Sequence, residues 1–104
     1  MRVTAWSNGS PLSSGAGYGI RVSPDDRDLH FSRNWEHAEV DLGDSGHATI
    51  RLSESFWARC TELRSAEVGR WLLDQRLAPW PKGNPPSLAL DHVGGNKFRL
   101  SKSR

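Results

Sequence analysis

The sequence predicts an α+β fold: a small, mostly antiparallel sheet or half-open barrel, built from two hairpins and an N-terminal strand, with a two-helix insert packed on one side. Three observations predict it. Apolar and polar residues alternate on both sides of turn chemistry at 38–52 and again at 88–100. The apolar period becomes helical at about 53–77, between those two stretches. Nowhere do strand and helix patterns alternate in the way a parallel sheet requires. A chain of 104 residues can bury one hydrophobic core. The expected organisation is a single domain over 1–104, with 1–16 as a flexible arm or edge strand and 101–104 as a basic tail.

The elements follow in order. Val3-Thr4-Ala5-Trp6 reads as a short edge strand, and Ser7 to Gly17 as a Gly/Ser-rich flexible loop. Tyr18, Ile20 and Val22 alternate with Gly19 and Arg21, so this is a strand with one buried face. Pro24 stops it, and Ser23 can cap a short helical turn that has Pro24 at its first position. The first hairpin puts Ala38, Val40 and Leu42 on one face and Ala48, Ile50 and Leu52 on the matching face. Gly43-Asp44-Ser45-Gly46 is its turn. Across its outer face, Glu39 and Asp41 are placed to meet Arg51.

Ser53 is an N-cap, and Phe56, Trp57, Cys60 and Leu63 follow at helical spacing. A second helix starts at Ser65, buries Val68, Trp71 and Leu72, and ends by Pro79. Gly69 in its middle is unfavourable by roughly 1 kcal/mol against Ala, which points to close approach by another backbone, with the first helix as the expected neighbour. Ala78 to Pro86 is stiffened by its prolines. The second hairpin runs from Leu88 to Leu100 around Gly94-Gly95-Asn96, with Phe98 and Leu100 inward.

Composition narrows the functional classes. Cys60 is the single cysteine, so no disulfide framework forms within the chain. There is no signal-peptide pattern at the start and no apolar run long enough for a bilayer, so a cytoplasmic location and no membrane partner are expected. The net charge of +2 is uneven: residues 1–52 hold five Arg against seven carboxylates, 53–93 balance, and 94–104 hold four bases and no acid.

No pattern implies a cofactor or a metal. His30, His37, His47 and His92 match no zinc-ligand spacing, although His37 and His47 flank the first hairpin and are placed to face each other across it. Cys60 reads as a small core hydrophobe. The run Gly15-Ala16-Gly17-Tyr18-Gly19 is not set between a strand and a helix, so it is not a phosphate loop. Asp25 to His30 is a capped, solvated turn, or else an acid–base or cation cluster. Trp57 and Trp71 read as core, and Trp6 and Trp35 lie in or beside loops. Trp80 sits between two prolines with Lys82 close behind, the arrangement of a stacking platform. The alternative is that Trp80 folds back over the helix pair.

The reading that follows is a small non-enzymatic binding module. Nucleic acid is its first expected partner, contacted through Trp80, Lys82, Arg70, Arg76, Lys97 and Arg99. The alternative is a protein-interaction domain or homodimer. A small enzyme using Asp26, Asp28 and His30 comes last, because no nucleophile, base and orienting group can be assembled from the spacing.

Overall fold

The computed structural model describes residues 1–103. Among these, seven strands and three helices run in the order β1 (Arg2–Ser7), β2 (Tyr18–Arg21), α1 (Pro24–His30), β3 (His37–Asp41), β4 (His47–Arg51), α2 (Glu54–Ala58), β5 (Glu62–Arg64), α3 (Ala66–Asp74), β6 (Ser87–Gly94) and β7 (Lys97–Lys102). The strands form one sheet in the order β4-β3-β7-β6-β1-β2-β5. It curls until its edges, β4 and β5, approach each other, so the sheet is nearly a closed barrel. The α+β class, both hairpins and the helical cover on one side are as the sequence predicts.

Period-2 patterning builds the inner face. Val3, Ala5, Ile20, Val40, Ile50, Leu63, Leu88, Leu90, Phe98 and Leu100 are all buried and point to one side of their strands. Helix α3 packs against β2 and β4 and closes that side with Val68, Trp71 and Leu72. Ser65 starts it: the hydroxyl accepts from the Val68 N–H at 3.2 Å, which satisfies one of the free donors of the first turn. Ser23 and Ser53 cap α1 and α2 in the same way.

Several elements differ from the sequence expectation, each for a local reason. The N-terminal strand is not an edge; it lies between β6 and β2, where Arg2 is opposite Ala89 and Thr4 opposite Arg21. The two-helix insert is interrupted. Helix α2 stops at Ala58, and Glu62–Arg64 leaves it to pair with β2 as a strand. Thr61 and Leu63 are buried while Arg64 is exposed, so a period of two overrides the helical spacing of Cys60 and Leu63. Cys60 is consequently half-buried in a loop, not part of a helical core stripe. Helix α3 ends at Asp74, well before Pro79, and Arg76 takes the left-handed conformation at φ 59° just beyond it.

The sheet is mixed. Its β3–β7 contact is parallel, with Val40 beside Phe98, and the other five strand pairings are antiparallel. At the tip of the second hairpin Val93 is an extra residue between His92 and Gly94, and this bulge turns its side chain out to 56% exposure. Ser101 and Lys102 belong to β7, so the expected tail is strand there; Arg104 lies outside the described residues.

The segment from Ser7 to Gly17 is not a loose arm. Asn8 N–H donates to Gly17 O at 2.9 Å, and Leu12 N–H to Ala16 O at 2.8 Å. Its far end lies on α3, where the backbone of Gly15 meets Gly69. A β-carbon on Gly69 would overlap the Gly15 carbonyl. The glycine in the middle of α3 is thus explained by a close backbone, but the neighbour is this loop and not the first helix. Arg70 reinforces the contact by donating from Nη1 to Ser14 O at 3.0 Å.

Candidate functional site

The loop from Ser7 to Gly17 forms one wall of a groove of ≈ 600 Å³, through Ser7, Gly9 and Pro11. The opposite wall is Pro79 and Trp80, followed by Lys82, and Tyr18 lies between. Each part has a local origin. Tyr18 begins β2, and its carbonyl accepts from Ser65 N–H at 3.1 Å, which ties the strand to the start of α3. After α3, the N–H groups of Leu77 and Ala78 both donate to Leu72 O, so the chain folds back onto the helix end. Pro79 and Pro81 then stiffen the backbone on either side of Trp80. The ring of Trp80 leans on Tyr18 with centroids 5.7 Å apart and a 55° tilt, and it remains half-exposed. It therefore rests on β2 through Tyr18 and packs against the core.

Of the six residues that the sequence singles out, the structure brings Trp80 and Lys82 together and leaves the others elsewhere. Arg70 is on the exposed side of α3, with Ser14 O and the Glu67 carboxylate at 3.6 Å. Glu67 is itself held below its usual pKa by its own backbone N–H and by the Ser65 hydroxyl. Arg76 is exposed beyond α3. Lys97 and Arg99 are on the outer face of β7, three places from β2 in the sheet.

That outer face is a charge mosaic. Lys97 is opposite Glu39 on β3, and Arg99 lies between Asp41 on β3 and Asp91 on β6. Arg99 Nε is 3.4 Å from Asp41 Oδ2. The Gly43 N–H donates to the other oxygen of Asp41 at 2.8 Å, and these two contacts hold its carboxyl below the usual value. The expected pairing of Glu39 and Asp41 with Arg51 does not form, because the register puts Thr49 opposite Glu39, His47 opposite Asp41 and His37 opposite Arg51. Glu39 instead accepts from the Thr49 hydroxyl at 2.7 Å. The same register places His37 and His47 at opposite ends of the hairpin rather than facing each other.

A second concavity, of ≈ 660 Å³, was not legible in the sequence. It lies between the loop after α1, the end of β4 and helix α2, and its walls include Arg33, Trp35, Arg51 and Trp57. Trp57 is half-exposed, not core. Arg33 stacks over its ring at 4.9 Å and Arg27 approaches at 5.8 Å. Trp35 packs beside Phe31 and Phe98. A third Arg–Trp pair, Arg64 over Trp6 at 5.0 Å, crosses the outer face where Gly19 between them has no side chain.

The Asp26, Asp28 and His30 cluster does not converge. Asp28 accepts from Arg27 Nε at 3.0 Å, Asp26 sits in the first turn of α1, and His30 meets His92 edge-on at 6.2 Å. Among the described residues, no group of three or more His, Cys, Asp or Glu is placed to hold a metal ion. Among the described residues, no helix is long and apolar enough to cross a membrane.

Fold and surface define a small curled-sheet domain whose side-chain-lined concavities include these two, on separate walls. No family model, curated protein or solved structure matches the chain.

Proposed function

We propose that this domain is a non-catalytic interaction module that takes an extended, proline-containing segment of polypeptide in the groove between Tyr18 and Trp80. The observation that carries this reading is the ring of Trp80, half-exposed on a stiff Pro-Trp-Pro segment and backed at a 55° tilt by the buried ring of Tyr18. Rigid Tyr and Trp side chains lose little entropy on binding and supply much contact area. Grooves lined by such rings accept polyproline-type segments, whose low flexibility leaves little ordering to be done.

Charge supports a polypeptide over a nucleic acid. Lys82 is the charged residue on the groove, while Arg70 and Arg99 already have carboxylate partners and Lys97 faces Glu39 on the next strand. A nucleic-acid track needs several cations along a path. Lys82 suits an acidic residue or carboxylate flanking a neutral segment.

The test is a titration of the full chain with a proline-rich peptide and, separately, with an oligothymidylate, each at low and moderate salt, following the Trp80 indole resonance. Saturable movement of that resonance by the peptide, with little salt dependence and about ten-fold weaker binding in Trp80→Ala, is the expected result. Binding of the oligothymidylate alone, falling steeply with salt, would replace this reading with the nucleic-acid one. No response to either probe would discard the groove as a binding site.

A further inference from the structure

The concavity beside Trp57 is separate from the groove, and its charges are arranged differently. Arg27 is spent internally: Nε is on Asp28 and Nη1 donates to Phe56 O at 3.0 Å. Arg33 and Arg51 also reach this region and line the concavity, yet among the described residues neither forms an ion pair. Glu36 and Glu54 line the same space and are likewise unpaired. Opposite charges therefore share one hollow without closing on each other, and a space of ≈ 660 Å³ is left between them.

The position of Arg33 matters here. Its guanidinium carbon lies 4.9 Å from the centre of the Trp57 ring, and a cation–ring contact uses no N–H donor. Those donors can grip an oxyanion with two parallel hydrogen bonds. Arg51 supplies a second cation from β4. Two arginines match a dianionic phosphate monoester better than a single carboxylate. A bare phosphate would also meet Glu36 and Glu54, which repel it. A ligand that carries hydroxyl or amine donors next to its phosphate turns those two carboxylates into acceptors. Trp35 adds an aromatic wall for a flat or ring-shaped body.

We propose that this concavity binds a phosphorylated sugar, free or as part of a nucleotide, with Arg33 and Arg51 on the phosphate and Glu36 and Glu54 on the sugar hydroxyls. The size suits such a ligand, since small-molecule sites run from about 300 to 1,000 Å³. The proposal does not depend on the peptide reading of the other groove.

Calorimetric titration of the full chain with ribose phosphate, adenosine monophosphate, adenosine and inorganic phosphate tests it. Ribose phosphate should bind saturably, and adenosine and inorganic phosphate should bind at least about ten-fold more weakly, because each lacks one half of the recognition. Tighter binding of adenosine monophosphate than of ribose phosphate would identify the nucleotide as the source; equal binding would identify the free sugar phosphate. Arg33→Gln and Arg51→Gln should each weaken binding about ten-fold or more, and Arg33→Lys, which keeps the charge but loses the fork, should not restore it. Thermal unfolding checks that these exposed substitutions leave the fold intact. The proposal is overturned if neither phosphorylated sugar binds, if inorganic phosphate binds as well as ribose phosphate, or if the double Arg33→Gln, Arg51→Gln variant binds like the parent.

Discussion

Trp80 and Trp57 are both half-exposed tryptophans just beyond or within a short helix, and their surroundings are opposite. Trp80 touches a neutral ring, Tyr18, and among the described residues no cation lies over it. Trp57 is covered by Arg33 and approached by Arg27. The first leaves ring surface exposed; the second has a guanidinium over its ring. The same residue type thus makes an apolar surface in one wall and a seat for a cation in another. What decides between them is the neighbouring chain, a proline-stiffened return after α3 in one case and the Arg-bearing loop after α1 in the other.

The two walls also rest on different supports, and the largest expected effect exploits this. Gly69→Ala places a β-carbon into the Gly15 carbonyl, and both partners are backbone, so the loop from Ser7 to Gly17 must move. Overpacking of this kind costs about 1–3 kcal/mol, and the melting temperature of a domain of this size should fall by roughly 10 °C. The displaced loop carries Pro11 and Gly9, so peptide binding at Trp80 should weaken in step. Anion binding beside Trp57 should persist. If both sites fail together in folded protein, the two walls are not independent and the comparison breaks.

Ser65→Ala is a milder version of the same experiment. It removes the hydroxyl that accepts from Val68 N–H and contacts Glu67, at a cost of about 1 kcal/mol, visible as a lower denaturant midpoint with an unchanged slope. Because the cap is lost without moving the loop, peptide affinity should stay within about two-fold of the parent.

The contrast between these two positions also measures what a sequence can reveal. Ser65 was legible as the start of a helix because helix starts are local: a hydroxyl residue, then an apolar stripe three residues on. The alternations at 38–42 and 48–52 were legible for the same reason, as was the need for Gly69 to meet a backbone. Which backbone was not legible, because Gly15 reaches α3 only through the folding of the whole loop. Trp80 and Lys82 could be singled out from the Pro-Trp-Pro spacing, but Tyr18 could not, since the alternation reads it as core, which it is, and its place behind Trp80 depends on the fold. Arg33 gave no signal and Arg51 read only as a cross-strand partner of Glu39 and Asp41; their meeting in one hollow depends on where the loop after α1 lies against the end of β4. The strand at Glu62–Arg64 was hidden because three residues are too few to outvote a helical spacing that begins at Phe56.

Arg64→Ala sharpens the comparison on a third tryptophan. Arg64 covers Trp6 as Arg33 covers Trp57, but it is exposed and its carboxylate neighbour, Glu62, is 3.8 Å away. Losing an exposed cation–ring contact should lower stability by about 0.5–1 kcal/mol. If a covered ring is only a support, uncovering Trp6 should leave peptide binding at Trp80 within about two-fold. A gain in affinity would mean that Trp6 is part of the groove and that Arg64 had been masking it.

The smallest effect concerns the wall that carries neither site. Asp41 is exposed, and its carboxyl is held below its ordinary value of 3.8, first by the Gly43 N–H and then by Arg99. The folded state therefore takes up this proton less readily than the unfolded chain. The stabilisation is complete above the unfolded value and is lost as pH falls through the lower, folded one. Glu67 shifts in the same direction and adds to the same acid slope. Asp41→Asn should flatten the fall in stability below about pH 4 without abolishing it, because the Glu67 part remains. Added salt should shrink the Arg99 contribution and spare the Gly43 hydrogen bond. Denaturant midpoints of parent and variant from neutral to acid pH make the measurement. A variant curve parallel to the parent's at every pH would mean that the Asp41 contacts do not persist in solution, and the outer face of β3 and β7 would then be a set of free charges available to a ligand.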